Sequence, residues 1–305
     1  MLKSKSVCVA IEFSLYFFRT NINDKIHFLR KLFNFVKIEH TLFTLPLIYS
    51  GVVLGAQTTP PVELLFLILL AAIGARTVAF AFNRIIDRKI DRRNPRTIDR
   101  ELPSGRMTVP EAVGVLIVGL LLYLISAAFI STFCLILSPI PLAIFVVYPY
   151  MKRFTILAHF GVGLGMSMAP LGGWFAVSPS FTNILPAALL CLFTIMWGAG
   201  FDIIYATLDE EFDRKENLYS FVSRFGRNSA LRYSAIFHFL GFIALVFLFL
   251  VSIHTLYALP FLFLTGILLW FERITAANVD LAFFKINAWL GFVVFGMIIV
   301  GAIVK

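Results

Sequence analysis

Long apolar runs, each about the length of a membrane crossing, alternate along this chain with short polar links. A helical span needs about 20 apolar residues. Runs of that kind fall at 33–55, 62–86, 109–131, 132–150, 155–177, 182–206, 229–252, 254–272 and 281–303, the third and fourth barely separated. The pattern predicts an all-α protein, an integral membrane bundle of nine transmembrane helices. The links alternate in charge. Arg84 closes the second run and Arg88, Lys89, Arg92, Arg93, Arg96, Arg100 and Arg106 follow it; Lys152 and Arg153 follow the fourth, Arg214, Lys215, Arg224 and Arg227 the sixth, and Arg273 the eighth. The opposite links, around Gln57–Pro61, Leu137–Pro139, Ser178–Thr182 and Ser252–Thr255, carry no Lys or Arg. The positive-inside rule then places the N-terminus and the basic links in the cytoplasm. Thr108-Val109-Pro110-Glu111 reads as a capping box opening the third span, and Asn228 as the N-cap of the seventh.

Composition agrees with that reading. The 305 residues are 60% hydrophobic and 14% charged, against about 45–50% and about 25% in soluble domains. A net charge of +9 would suggest nucleic acid in a soluble protein. Here it fits basic loops beside anionic lipid and an anionic substrate, with no nucleic-acid partner. Cys8, Cys134 and Cys191 lack metal-ligand spacing and read as free thiols. Residues 1–31 faintly mimic a signal peptide, but Glu12 interrupts the apolar stretch and no small-residue cleavage site follows. They are read as an N-terminal extension, either an interfacial helix or a poorly ordered segment, ahead of a polytopic domain over 32–305.

The chemistry lies in two acidic segments, Asn83–Asp91 and Asp202–Asp213, which close the second and sixth runs on the same side of the membrane. A carboxylate at the hydrocarbon boundary is costly unless it is paired or binds a metal. On a helix, Arg76, Phe80, Asn83 and Asp87 share one face, with Asp91 a turn beyond if the helix continues; Asp202, Tyr205, Asp209 and Asp213 have the same property. Hard oxygen ligands with room for water and phosphate are how magnesium is held. Two such stripes face to face would make a magnesium–diphosphate site, whereas one alone is as easily a solvated Asp-Arg loop. Lys152 and Arg153, after Tyr148-Pro149-Tyr150, are the cations best placed for a diphosphate, with Arg224 a further candidate. Positive-inside bias accounts for others, such as Arg92 and Arg93. Arg76 lies two turns deeper within an apolar run, where it must pair with Asp202 or with a substrate carboxylate. His40 reads as an interfacial anchor.

At these residues the chain resembles the UbiA family of membrane prenyltransferases, most of all its 4-hydroxybenzoate polyprenyltransferase branch. The likeness rests on Asn83-Arg84-x-x-Asp87-Arg88-x-x-Asp91, continuing through Asn94-x-Arg96-Thr97 to Arg100-Glu101-Leu102-Pro103-Ser104-Gly105. It also rests on Asp202-x-x-Tyr205-x-x-x-Asp209-x-x-x-Asp213, on Lys37–Thr41 and on Tyr148–Phe154, and it covers about 35 to 300. Asn217 stands where the family usually has glycine and Val222 where it often has proline, both in the loop after Asp213. The resemblance implies transfer of a polyprenyl group from a polyprenyl diphosphate to an aromatic acceptor, with two magnesium ions, in a prokaryotic cell membrane. Asn83, Asp87, Asp91, Asp209 and Asp213 would then hold metal, and Arg84, Arg88, Lys152, Arg153 and Arg224 the diphosphate. Arg76, His40, Asp202 and Tyr205 would bind the acceptor, and Asp87, Asp91, Asp202, Tyr205, Asp209 and Asp213 would make up the catalytic set. A naphthoate-type acceptor would use the same residues. A cation or phosphate transporter is disfavoured because its sites are expected on discontinuous mid-membrane helices. A head-group phosphotransferase would carry Asp-Gly, which this chain lacks.

Overall fold

The computed structural model describes residues 31–37, 41–279 and 285–304. The extension at 1–31 lies almost wholly outside these residues, as does His40. The described residues are helical, with no strand among them. A helical turn at 31–36 precedes α1 (Thr41–Gly55), α2 (Val62–Asp91), α3 (Val109–Ile130), α4 (Thr132–Leu137), α5 (Pro139–Met151), α6 (Ala158–Val177) and α7 (Leu185–Ala206). A 3₁₀ turn (Thr207–Asp209), α8 (Glu210–Lys215), α9 (Phe221–Leu248), α10 (Leu259–Ile274) and α11 (Asn287–Ile303) follow.

Among the described residues seven helical stretches are long and apolar enough to cross a membrane, which makes this a multi-pass membrane protein; Thr44–Gly55 and Asn287–Ile303 are shorter. The first run is not one helix from residue 33. Lys37 has a φ of 50°, which breaks the helical path. The fourth run is made of two helices, α4 and α5, joined at Ser138. The seventh starts earlier than its apolar residues suggest. Ser220, not Asn228, is the N-cap, in a reciprocal bond pair with Ser223. Asn228 lies beyond a kink at Gly226, whose φ of 77° favours glycine. The Thr108–Glu111 capping box forms as expected.

The helices close into a ring in which α1 packs on α6 and α11, α7 on α6 and α9, and α10 on α9 and α11; α2 packs on α3 and α5, and α5 on α6. Leu190, Phe193 and Trp197 of α7, Leu245 and Leu248 of α9, and Leu290 and Met297 of α11 form the main core. Alpha-1 and α6 approach backbone to backbone. A Cβ on Gly51 would sit 1.9 Å from the Pro170 carbonyl oxygen, and one on Gly173 2.0 Å from that of Ile48. Small residues at such crossings are how membrane helices gain packing without a hydrophobic driving force. Outside the core, Val118, Phe129, Phe263 and Trp270 are exposed on faces suited to lipid.

Candidate active site

Alpha-2 runs unbroken through the first acidic segment, so Arg76, Asn83, Asp87 and Asp91 share one side of it. Asp87 and Asp91 are only 3% and 4% exposed, and both are closed by cations. Asp87 accepts from Lys152 Nζ at 2.6 Å and from Arg153 Nη2 at 3.1 Å. The Asn83 amide approaches Asp87 at 3.5 Å. Lys152 caps α5. Arg153, one residue on, also donates to the carbonyls of Pro149 (2.8 Å) and Ile86 (3.2 Å). Arg100 Nη1 donates to both Asp91 oxygens, at 2.9 and 2.8 Å.

The link after α2 is a folded cap. Thr97 Oγ1 donates to the Asp91 carbonyl at 2.9 Å, Asn94 Oδ1 accepts from the Arg96 amide at 2.9 Å, and Leu102 and Met107 are buried. From it Asn94 Nδ2 and Arg96 Nε reach Asp209 Oδ1, each at 2.8 Å, and Arg96 Nη2 holds Asp209 Oδ2. Arg96 Nη1 donates to the Tyr205 hydroxyl at 2.6 Å, its guanidinium 4.8 Å above the ring. Burial opposes the Arg96 charge, but the bonds and fields of Asp209 and Tyr205 outweigh it and raise its pKa above the ordinary value.

The second acidic segment is not one helix. Alpha-7 ends at Ala206, and a 3₁₀ turn leads into α8, so Asp202, Asp209 and Asp213 occupy three elements. Asp202 Oδ2 pairs with His159 Nδ1 at 2.6 Å, and His159 Nε2 accepts from the Phe221 amide at 3.3 Å. The Phe221 bond leaves the His159 proton on Nδ1, directed at Asp202. After α8 the amide of Leu218 donates to the Asp213 carbonyl (2.8 Å) and that of Asn217 to Arg214 (3.3 Å). This Schellman arrangement requires a left-handed residue, which Asn217 supplies at φ 55°. Asparagine tolerates that region better than most non-glycine residues, so the Gly-to-Asn departure keeps the loop. Val222 lies in the first turn of α9, where proline would equally be accepted.

One cavity of about 1030 Å³ joins these parts. Arg76, Asn83, Arg84, Asp87, Asp91, Lys152, Asp202, Tyr205, Asp209 and Asp213 all line it. The same cavity continues past Ile130, Leu137, Phe145 and Phe175 into an apolar end. Arg76 stacks on Phe80, 4.7 Å from the ring centroid. Arg84 is 6% exposed, and its Nε and Nη1 have no hydrogen-bond partner among the described residues. Among the described residues, three that were expected at the site do not line the cavity. Arg88 donates to the Ile85 carbonyl at 2.7 Å, Arg153 stands behind Asp87, and Arg224 is exposed over the Tyr219 ring. His159 had no sequence signal, because its partner is 43 residues away. Arg96 and Arg100 had none beyond the resemblance, since a basic link also satisfies the positive-inside rule.

The donor set suits magnesium. Among the described residues no three His, Cys, Asp or Glu groups converge into a ready cage, because the carboxylates are turned onto cations. Magnesium does not need such a cage, being bound through one or two carboxylates plus waters and phosphate oxygens.

Comparison with known proteins agrees with this architecture. Residues 44–289 match the UbiA prenyltransferase family. The chain is 27% identical over 263 residues to 4-hydroxybenzoate octaprenyltransferase of Francisella tularensis, covering 84% of this chain and 89% of that one. Identity to the Vibrio parahaemolyticus protein of the same name is 32% over 192 residues, 59% and 63% of the two chains. The fold matches the apo structure of a UbiA homolog from Aeropyrum pernix K1 with a TM-score of 0.78 and 31% identity, over 86% of this chain and 98% of that one. A UbiA homolog from Archaeoglobus fulgidus, bound to DMAPP and Mg2+, shares the fold with a TM-score of 0.71 at 20% identity, over 89% and 97%. The chain therefore belongs to the UbiA prenyltransferase family and is a membrane prenyltransferase.

Proposed function

We propose that this enzyme transfers a polyprenyl group from an allylic polyprenyl diphosphate to an aromatic acceptor such as 4-hydroxybenzoate, in quinone biosynthesis. The observation that carries this reading is the single cavity, lined by both acidic segments at one end and by apolar side chains at the other. Relatives named for 4-hydroxybenzoate support the acceptor class. Asn83, Asp87, Asp91, Asp209 and Asp213 would hold two magnesium ions. Bound there, magnesium supplies charge stabilisation to the departing diphosphate.

The chain's own residues do the rest. Arg84 and Lys152 donate to the diphosphate as its bond to the allylic carbon breaks, where negative charge develops. Arg153 holds Asp87 from behind. The apolar walls keep water from the allylic cation. Arg76, braced on Phe80, binds the acceptor carboxylate. Tyr205 and Asp202 orient the phenol, and Asp202, fixed by His159, takes the ring proton once the new carbon–carbon bond has formed. His40 belongs with the acceptor set by resemblance and lies outside the described residues.

In the membrane we read nine crossings, the seven long helices with α1 and α11 as short spans. The N-terminus and the acidic segments face the cytoplasm of a prokaryotic cell, with lipid around the exposed apolar faces. Purified protein with magnesium, a panel of prenyl diphosphates and a panel of aromatic acids, read by product mass, tests the reaction. A prenylated hydroxybenzoate is expected; failure to prenylate any aromatic acid in the panel would sink the reading. Single-cysteine labelling should find Ser104 and Glu216 inside and Ser178 and Thr255 outside, and labelling of Ser104 from outside intact cells would reverse the orientation.

A further inference from the structure

Three carboxylates of the site are already neutralised by the protein. Lys152 and Arg153 close Asp87, Arg100 closes Asp91, and Arg96 closes Asp209 with help from Asn94. Four cations thus face three anions. At every expected carboxylate ligand but Asp213, a bare divalent ion would have to displace ammonium and guanidinium groups from oxygens that are largely out of water. Those displaced cations would then stand beside the new charge, which is costly in a partly desolvated site. Arg84 sharpens the point. Its buried Nε and Nη1 have no hydrogen-bond partner among the described residues, and the residue lines the cavity near Asp91. The donors left over in this site suit an anion.

We propose that Arg96, Arg100 and Lys152 act as stand-ins for the metal, so that this chain takes a divalent cation and a diphosphate together and binds the bare cation weakly. The inference rests on the reading of the cavity as a metal–diphosphate site. When both arrive, each stand-in moves from a carboxylate oxygen to a phosphate oxygen, and the carboxylate it leaves turns to the metal. Each charge keeps a partner of opposite sign throughout. Arg96 and Arg100 belong to one folded link, so the exchange at Asp91 and Asp209 is made by one segment.

The test measures protein-bound Mn2+, as a probe for magnesium, by equilibrium dialysis of the purified full chain, with inorganic pyrophosphate as the diphosphate probe. Mn2+ and pyrophosphate together should bind wild-type protein about tenfold or more tightly than Mn2+ alone, a coupling of ordinary size between two ligands. Arg96→Gln and Arg100→Gln should each gain affinity for bare Mn2+ by about tenfold, while Arg100→Lys, which keeps the charge, should stay weak. A merely structural arginine would give no gain. Equal Mn2+ affinity with and without pyrophosphate overturns the proposal, as does absence of joint binding. Folded glutamine variants that bind bare Mn2+ no better than wild type also overturn it; if they fail to fold, the wild-type comparison decides. Prenyl transfer by the same preparation separates the two readings. Transfer with tight bare-Mn2+ binding defeats this inference alone, and joint binding without any transfer defeats the proposed function alone.

Discussion

The two acidic segments reach the same cavity by different construction. The first rides on a single 30-residue helix, and its two aspartates are almost fully buried, Asp91 clamped by Arg100 of the adjoining link and Asp87 by Lys152 and Arg153 at the end of α5. The second is spread over the end of α7, a 3₁₀ turn and α8, and Asp209 is held by Asn94 and Arg96 from the other half of the chain. Asp213 makes no ion pair with any cation among the described residues within 4 Å. Rigidity in the first segment comes from its own helix, whereas in the second it is borrowed through tertiary contacts. Backbone changes should therefore be felt more at the second, and changes of clamping side chain more at the first.

The largest effects should ignore this contrast, since in the proposed reaction both segments serve one chemical step. Asp87→Ala and Asp213→Ala should each lower turnover by about hundredfold or more, the loss typical of removing one stabiliser of developing charge. Detergent-stable, helical protein by circular dichroism must accompany that loss. Turnover within about threefold of wild type in either variant, far short of such losses, would break the two-segment site. Next in size, Arg76→Ala should weaken acceptor use by roughly ten- to hundredfold, from a charged hydrogen bond of about 1.5–3 kcal/mol. Apparent affinity for the prenyl diphosphate should change little, and Lys152→Ala should show the reverse bias. If both substrates suffer alike in Arg76→Ala, the carboxylate-binding role is rejected.

Arg153→Gln sharpens the contrast further, because it touches only the first segment and only from behind. It should cost less than Lys152→Ala in diphosphate affinity, since Arg153 does not line the cavity. An equal or larger loss would mean that clamping Asp87 matters more than contact with the substrate. The smallest effect belongs to the second segment's backbone. Asn217→Val places a β-branched residue at positive φ and should destabilise by about 1–3 kcal/mol, whereas Asn217→Gly should be neutral or better. Thermal unfolding measures both; indifference to valine would show that the turn after α8 is not constrained.

Helix α2 was legible nearly to its end, because Arg76, Phe80, Asn83, Asp87 and Asp91 keep helical spacing and nothing in 83–91 interrupts it. The Thr108 cap was legible because its chemistry is local. The break at Thr207–Asp209 was not. No glycine or proline marks it, and Asp209 there is bound by residues far away in sequence. The start of α9 was misplaced for a related reason. Polar Ser223, Arg224, Arg227 and Asn228 hide a helix whose first turn is fixed by Ser220 and bent at Gly226. His159 and Arg96 look like an ordinary core histidine and a topogenic arginine until distance shows what they touch. Spacing along a chain reports faces, but it does not report partners from other elements.

The bond from Arg96 to Asp209 crosses 113 residues, and this has a consequence for biosynthesis. The link after α2 leaves the ribosome and meets the membrane long before α7 has been made. Until then Asn94 and Arg96 lack the Asp209 carboxylate, and with the proposed cytoplasmic orientation the link is a basic segment that anionic headgroups would attract. The end of the cavity lined by both acidic segments is thus among the last parts to be assembled. A product truncated before residue 209 would retain the membrane hairpin of α2 and α3 with that segment still adhering to lipid.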